Sequence, residues 1–286
     1  MSARLRIAVQ RGGRLGTKSL ELVESAGFRV MRGANDLLYR VENAPIDLLC
    51  VRDDDIPTFV EDGVADFGIV GRNVLEERGV GGLTEVMPLG FGRCDMKIAV
   101  PAGRAYSGAE SLRGARIATT YPRTLSRFLE RAGVEAEIVS MRGAVEVAPR
   151  LKLAQAICDL VSTGATLEAN GLVAVDTVMR SEAVLIRGAR VADAELAHVA
   201  ESIVQRFRGV AASQGAKYVM MNAPKASLPE ISRILPGAGA PTVTPLAGND
   251  DAVAVHAVCQ ESVFWETLEA LRAAGASAIL VLPIEK

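Results

Sequence analysis

Histidine is nearly missing from this sequence: only His198 and His256 occur, in different regions. A histidine-based metal site or a Ser-His-Asp triad is therefore not expected, because each needs an imidazole held beside other ligands or a nucleophile. Cysteine is sparse as well. Cys50, Cys94, Cys158 and Cys259 are widely scattered without CxxC spacing, and three of them sit in apolar surroundings. They read as reduced core thiols, neither bridges nor metal ligands, which points to the cytoplasm. An excess of charge is lacking too: 32 Lys and Arg stand against 34 Asp and Glu, a net of −2, so no basic surface calls for nucleic acid as a partner. No apolar run is long enough to span a bilayer, Ala278 to Pro283 being the longest near an end, and the N-terminus has no apolar signal core, so no membrane partner is expected. What is present is a chain of 286 residues, 49% hydrophobic, enough for two or three domains with their own cores. Its chemistry must rest on positioning and charge.

The stretch richest in chemistry is Asp159-Leu160-Val161-Ser162-Thr163-Gly164-Ala165-Thr166-Leu167, led in by Ala156-Ile157-Cys158. An apolar run of strand length, a Ser-Thr-Gly-Ala-Thr turn and then Leu167 to Asn170 predict a buried strand, a tight turn and the start of a helix. The first amides of a helix lack intrahelical partners and lie at the positive end of its dipole, so they suit a phosphate. Gly164 lets the backbone approach a ligand, and the hydroxyls of Ser162, Thr163 and Thr166 add donors. Asp159, at the strand's carboxyl end, is placed to accept from ribose hydroxyls or to face a ligand-bound metal. The plainer alternative stays open on shape alone: Ser162 and Thr163 cap a helix and Asp159 ends a strand.

Earlier in the chain, Leu5 to Val9 alternates like a strand, and Gln10 to Gly16 is a glycine-rich turn before a helix from Lys18 to Ala26. The turn carries Arg11 and Arg14; a guanidinium matches phosphate oxygens bidentately, a reading that suits Arg14, while Arg11 reads as part of a solvated basic turn, and the glycines do not form GxGxxG. The segments Phe28 to Val30 and Leu37 to Val41 follow, then a strand from Ile46 to Val51 and a helix from about Thr58 to Gly63. Asp53, Asp54 and Asp55 are adjacent acids at a helix start, where side chains rarely converge on one ion; the dipole alone accounts for Asp53 and Asp54, and no metal cluster is assigned. Ala65 to Gly71 reads as a strand and Asn73 to Glu77 as a helix; Asp66-Phe67-Gly68 mimics a kinase triplet without its partner motifs. Cys94 to Pro101 and Arg116 to Pro122 are strands of a second α/β repeat, with a helix from Thr124 to Ala132 and a strand from Val134 to Val139. Met141 to Glu146 is expected to enter a helix that Val147 to Leu153 continues. Thr177 to Ile186 reads as a paired strand and Ala192 to Arg208 as an amphipathic helix packed back on the first lobe.

Two α/β lobes joined by crossing strands suggest the architecture of bilobal solute-binding proteins, with ligand between the lobes. From Lys217 the order becomes strand, helix (Leu228 to Leu235), two strands (Thr242 to Leu246, Val253 to Val258), helix (Ser262 to Ala274) and strand (Ala278 to Pro283), the split βαββαβ unit of a ferredoxin-like domain. The expected fold is thus α/β: a two-lobed periplasmic-binding-protein-like core plus a ferredoxin-like C-terminal domain. Its expected division is 1–94 with 184–213, 95–183, and 214–286.

Asp159 to Leu167, continued by Glu168-Ala169-Asn170-Gly171-Leu172, resembles the phosphoribosyl-pyrophosphate signature of the ATP phosphoribosyltransferase family, which opens histidine biosynthesis. Gly13-Arg14-Leu15, Val51-Arg52 with Asp55-Ile56-Pro57, and Val145-Glu146-Val147-Ala148-Pro149 match further elements of that family, and the likeness runs to the terminal Ile284-Glu285-Lys286. It implies transfer of phosphoribosyl to N1 of ATP with loss of pyrophosphate and with Mg²⁺ carried by the substrate, so no metal ligands fall to the chain. It further implies that Arg14 and Arg52 meet the pyrophosphate or triphosphate, Glu146 orients the nucleotide and Asp159 steadies the ribose hydroxyls. Ser162, Thr163, Gly164, Ala165, Thr166 and Leu167 would hold the 5′-phosphate, with Gly71 and Tyr121 lining the substrate cleft. Asp36 departs from the pattern, standing where some relatives have Arg ahead of Leu. The C-terminal domain implies the long form of the enzyme, with histidine as inhibitor and a homo-oligomer from dimer to hexamer; by position, Asn222, Thr242 and Ala278 are its regulatory candidates. Two other functions fit less of the sequence: a non-catalytic bilobal sensor of a small anion or amino acid, and a phosphoribosyltransferase acting on a different base.

Overall fold

In the computed structural model, residues 3–33, 37–79, 81–189, 194–237 and 239–284 are described; Asp36 and the terminal Glu285 and Lys286 lie outside them. Two compact units result, Met1–Phe207 and Arg208–Lys286. The first begins with β1 (Leu5–Gln10), α1 (Gly13–Ser25), β2 (Val30–Met31), β3 (Leu38–Val41), β4 (Ile46–Val51), α2 (Ile56–Glu61), β5 (Phe67–Gly71), α3 (Arg72–Arg78) and β6 (Leu83–Pro88). It continues with β7 (Cys94–Pro101), β8 (Arg116–Thr119), α4 (Pro122–Ala132), β9 (Glu137–Ser140), β10 (Ala156–Val161), α5 (Ala165–Ala169), β11 (Leu172–Ser181), β12 (Ala183–Gly188) and α6 (Ala194–Ser213).

These strands form two sheets. Lobe I is the sheet β2-β3-β4-β1-β5-β12-β6, and lobe II the sheet β11-β7-β10-β8-β9. The apolar run of β10 reflects its burial on both faces: Ala156 and Cys158 join a cluster with Ile98, Ile117 and Leu125, while Ile157 joins one with Ala118, Leu167 and Leu172. The chain crosses between the sheets twice, over 89–93 from β6 to β7 and through Glu182 from β11 to β12. The two crossings are bonded to each other, Leu89 N to Ala183 O and Ala183 N to Phe91 O, both at 2.9 Å. At the end of lobe I, Arg206 of α6 lies 4.8 Å over the Phe28 ring and donates to Ala26 O at 3.3 Å.

Several expectations are corrected. α1 starts at Gly13, five residues ahead of Lys18, so Arg14 is on the helix and not in a turn; Gly12 and Gly13, both at positive φ, make the bend that precedes it. The segment 147–153 is not helical: a 3-10 turn at Val145–Val147 gives way to irregular turns, because Pro149 has no N–H to donate and Lys152 takes a φ of 57°. Thr177 to Ile186 is two strands in different sheets, broken at Glu182. β6 was not foreseen, its moderate burial giving little apolar alternation.

The second unit contains β13 (Ala216–Pro224), α7 (Leu228–Ile234), β14 (Thr242–Leu246), β15 (Asn249–Gln260), α8 (Glu261–Ala273) and β16 (Ser277–Pro283). All pairings are antiparallel in the order β14-β15-β13-β16, the arrangement a ferredoxin-like unit demands. Val219, Met221, Val253 and Val255 on one sheet face pack with Ile231, Phe264 and Leu271 of the helices. The other face carries Tyr218, Leu280 and Leu282, each exposed.

Candidate active site

β1 and β4 run parallel, so their carboxyl ends lie together, and Arg11 N closes the junction by donating to Val51 O at 2.7 Å. α1 leaves that edge directly. It packs so tightly on β1 that a Cβ at Gly16 would stand 2.3 Å from Gln10 O, which makes glycine obligatory there. The helix thereby points its first turn, with Arg14, into the space between the lobes. From lobe II, β10 delivers Ser162 and the turn to α5, with Gly164 at φ 82° as the cap residue. Leu167 is buried in the lobe II core and ties this turn down, its burial contributing about 2 kcal/mol. Among the described residues the amides of Thr163, Gly164, Ala165 and Thr166 have no protein acceptor, and the Ser162, Thr163 and Thr166 side chains are exposed.

Between these walls lies a cleft of about 920 Å³. Arg14, Gly71, Tyr121 and Ser162 line it together. Arg14 Nη2 donates to Ser162 Oγ at 3.4 Å, joining lobe I to lobe II. Asn73 Nδ2 donates to the Tyr121 hydroxyl at 3.3 Å, a second link between the lobes. A smaller cavity of about 340 Å³, lined by Asp66, Arg187 and Glu201 among others, holds none of the expected site residues.

Burial is the main force on the titrating groups. It lifts the Asp159 carboxyl above its ordinary 3.8, against the pull of the Leu160 amide, and the Glu146 charge adds to the lift. That amide reaches Asp159 Oδ1 at 2.8 Å. Burial also raises the Tyr121 phenol above its ordinary 10, with the Asp159 charge second, so the hydroxyl keeps its proton. The Cys158 thiol is pushed up to about 12 by burial and is inert. Cys94 is not a core thiol as expected but lines the cleft, its thiol raised by burial.

The remaining expected residues divide. Asp159 and Glu146 are close enough for one charge to act on the other, and neither belongs to the cleft lining. Arg52 is exposed at the end of β4 and is likewise outside the lining, whereas its neighbour Asp53, discounted from sequence, is part of it. Gly71 is required by a protein atom, since a Cβ there would stand 2.3 Å from Asn73 Oδ1. Gln10, Thr17, Lys18, Asn73 and Arg93 also line the cleft and were not singled out from sequence, because no motif or spacing marks them. In the second unit, Asn222 pairs with Ser277 beside Ala278, which has a φ of 48°. Thr242 pairs with His256, and its strand β14 lies two strands from β13, roughly 10 Å across the sheet.

Two lobes, each an α/β sheet, with a cleft lined by a guanidinium, hydroxyls and glycines, define a two-lobed core of the periplasmic-binding-protein-like fold. Residues 52–209 match the sequence model described as ATP phosphoribosyltransferase, and 213–286 that described as HisG, C-terminal domain. An ATP phosphoribosyltransferase of Maricaulis maris (strain MCS10) is 53% identical over 293 residues, spanning 100% of this chain and 99% of the relative. Among solved structures, the ATP phosphoribosyl transferase (HisG:HisZ) complex from Thermotoga maritima is 27% identical, with TM-score 0.60 over 72% of this chain and 99% of that one. The aliphatic sulphonate binding protein SsuA of Escherichia coli, 16% identical with TM-score 0.51 over 74% of each chain, shares the fold alone. The chain belongs to the ATP phosphoribosyltransferase family, in its long form with the C-terminal regulatory domain. Its activity is the first step of histidine biosynthesis, transfer of phosphoribosyl from phosphoribosyl pyrophosphate to N1 of ATP under feedback by histidine, and the non-catalytic sensor reading falls away.

Proposed function

We propose that the sugar phosphate binds at the Ser162–Leu167 turn, with its pyrophosphate directed across the cleft to Arg14. The observation that carries this reading is the 3.4 Å approach of the Arg14 guanidinium to Ser162 Oγ, which puts a cation beside a turn of unpartnered amides. Phosphate gains charge-assisted hydrogen bonds from both sides there. Thr163, Gly164, Ala165 and Thr166 donate to the 5′-phosphate, and Leu167 holds the turn in place. Asp159 accepts from the ribose hydroxyls, Glu146 orients the nucleotide, and Arg52 meets phosphates at the outer end of the cleft.

Adenine N1 has a lone pair at neutral pH, so attack on C1 of the sugar requires no general base. As the glycosidic bond breaks, positive charge grows on the ribose and negative charge on the departing pyrophosphate. Arg14 and Lys18 stabilise the latter through the field they hold ready in the cleft. Mg²⁺ prefers one or two carboxylates plus substrate phosphates, and the donor set fits, since Asp53 lines the cleft. When bound with the pyrophosphate, the ion would neutralise part of the leaving charge.

In the C-terminal domain, Asn222 and Ala278 share the irregular end of the β13–β16 pairing, where a free amino acid such as histidine would bind, with Thr242 a more distant contributor. The exposed Tyr218, Leu280 and Leu282 of the open sheet face support a homo-oligomer, up to the hexamer. Reduced thiols suit the cytoplasm, and no helix among the described residues is long and apolar enough to cross a membrane. Pyrophosphate release with ATP and phosphoribosyl pyrophosphate, run with and without histidine, tests the whole reading. If Asp159→Ala kept the wild-type KM for phosphoribosyl pyrophosphate and an unchanged kcat, the ribose assignment would be wrong.

A further inference from the structure

Helix α4 lacks a cap of its own. Its cap residue, Tyr121, makes no side-chain cap bond, and Pro122 opens the first turn. The cap comes from the other lobe. Glu77 of α3 accepts from Arg123 N at 2.9 Å, from Thr124 N at 2.9 Å and from Thr124 Oγ1 at 2.8 Å, taking the orphan amides that an N-cap side chain would take. One turn earlier on the same face of α3 stands Asn73, buried and fixed by two bonds to Ser181: Asn73 N donates to Ser181 Oγ at 3.0 Å, and Ser181 Oγ donates to Asn73 Oδ1 at 2.9 Å. With Oδ1 so committed, the Asn73 amide group is the end that meets the Tyr121 hydroxyl.

We propose that Asn73 and Glu77 are positioning residues that together fix Tyr121 of the opposite lobe, with its hydroxyl proton turned into the cleft toward a phosphate oxygen of the substrate. A hydroxyl has two acceptor positions and one proton. Asn73 donates to the phenol oxygen, which leaves the hydroxyl proton to seek an acceptor elsewhere, and Tyr121 lines the cleft. The raised phenol pKa keeps that proton in place at neutral pH. This inference rests on substrate binding in the cleft.

Asn73→Asp separates positioning from structure. The carboxylate still accepts from Ser181, yet its second oxygen accepts from Tyr121 and draws the proton away from the cleft. With full-length protein, kcat/KM for phosphoribosyl pyrophosphate is expected to fall about tenfold in Asn73→Asp and in Tyr121→Phe, and by about tenfold, not a hundredfold, in the double variant. Glu77→Gln should likewise lose less in the Tyr121→Phe background than in the wild type. Urea midpoints monitor the fold of each variant. Multiplicative losses in both cycles, or a wild-type kcat/KM in Asn73→Asp, would overturn the proposal; absence of turnover by the wild type with ATP and phosphoribosyl pyrophosphate would instead sink the cleft assignment beneath it.

Discussion

Arg14 and Ser162 lie 148 positions apart on different sheets, yet the guanidinium reaches the hydroxyl at 3.4 Å. That distance is long for a hydrogen bond, and the contact is exposed, so it contributes little to stability. Its worth is in ligand binding: an anion entering here meets Arg14 and the Ser162 turn together. Arg14→Ala should lower kcat/KM for phosphoribosyl pyrophosphate about a hundredfold, the scale of a charged hydrogen bond, while the urea midpoint stays at the wild-type value. Steady-state kinetics beside equilibrium unfolding check both halves.

Asp159 should trade stability for activity. Its folded pKa is raised above the ordinary 3.8, first by burial, so the folded state binds its proton more tightly than the unfolded state. The ionised carboxylate therefore penalises the fold above the folded pKa, and the penalty fades as pH falls toward 3.8. Asp159→Asn is expected to be more resistant to urea than the wild type at pH ~7, by a margin that shrinks in acid, while losing most of its turnover.

Gly16→Ala tests how α1 aims Arg14. The added methyl would stand 2.3 Å from the Gln10 carbonyl, so helix or strand must shift. A loss of about 1–3 kcal/mol in urea unfolding is expected, together with a raised KM for phosphoribosyl pyrophosphate.

Removal of divalent cations should abolish turnover without touching the free protein. If Mg²⁺ enters on the pyrophosphate, a chelator stops pyrophosphate release while the unfolding transition of the unliganded chain stays unchanged. A large chelator-induced drop in that transition would mean an ion resident in the protein.

The strands were the most legible part of the sequence, because buried segments such as β10 and β1 are largely apolar and their length and ends are set by local residues. Helix starts were less so. α1 begins early because two glycines at positive φ turn the chain and Gly16 lets the helix lie on β1, a packing relation that periodicity does not encode. The Ser162 turn and Arg14 could be singled out by residue type and motif. Asn73 and Glu77 could not, since what distinguishes them is contact with residues 48 and 47 positions away. A buried amide and a carboxylate on a short helix look ordinary until the other lobe is in place.

β12 is inserted between β5 and β6, although 83–88 is made long before 183–188. As the chain leaves the ribosome, β6 has no neighbour to pair with, and β5 has an open edge, until the whole of lobe II has been synthesised. Lobe II, with both of its ends at the paired crossings, can complete its sheet first, so the nascent chain carries an unfinished lobe I through much of translation. Premature termination within β11 would leave two unmatched strand edges, the kind of surface on which truncated chains aggregate.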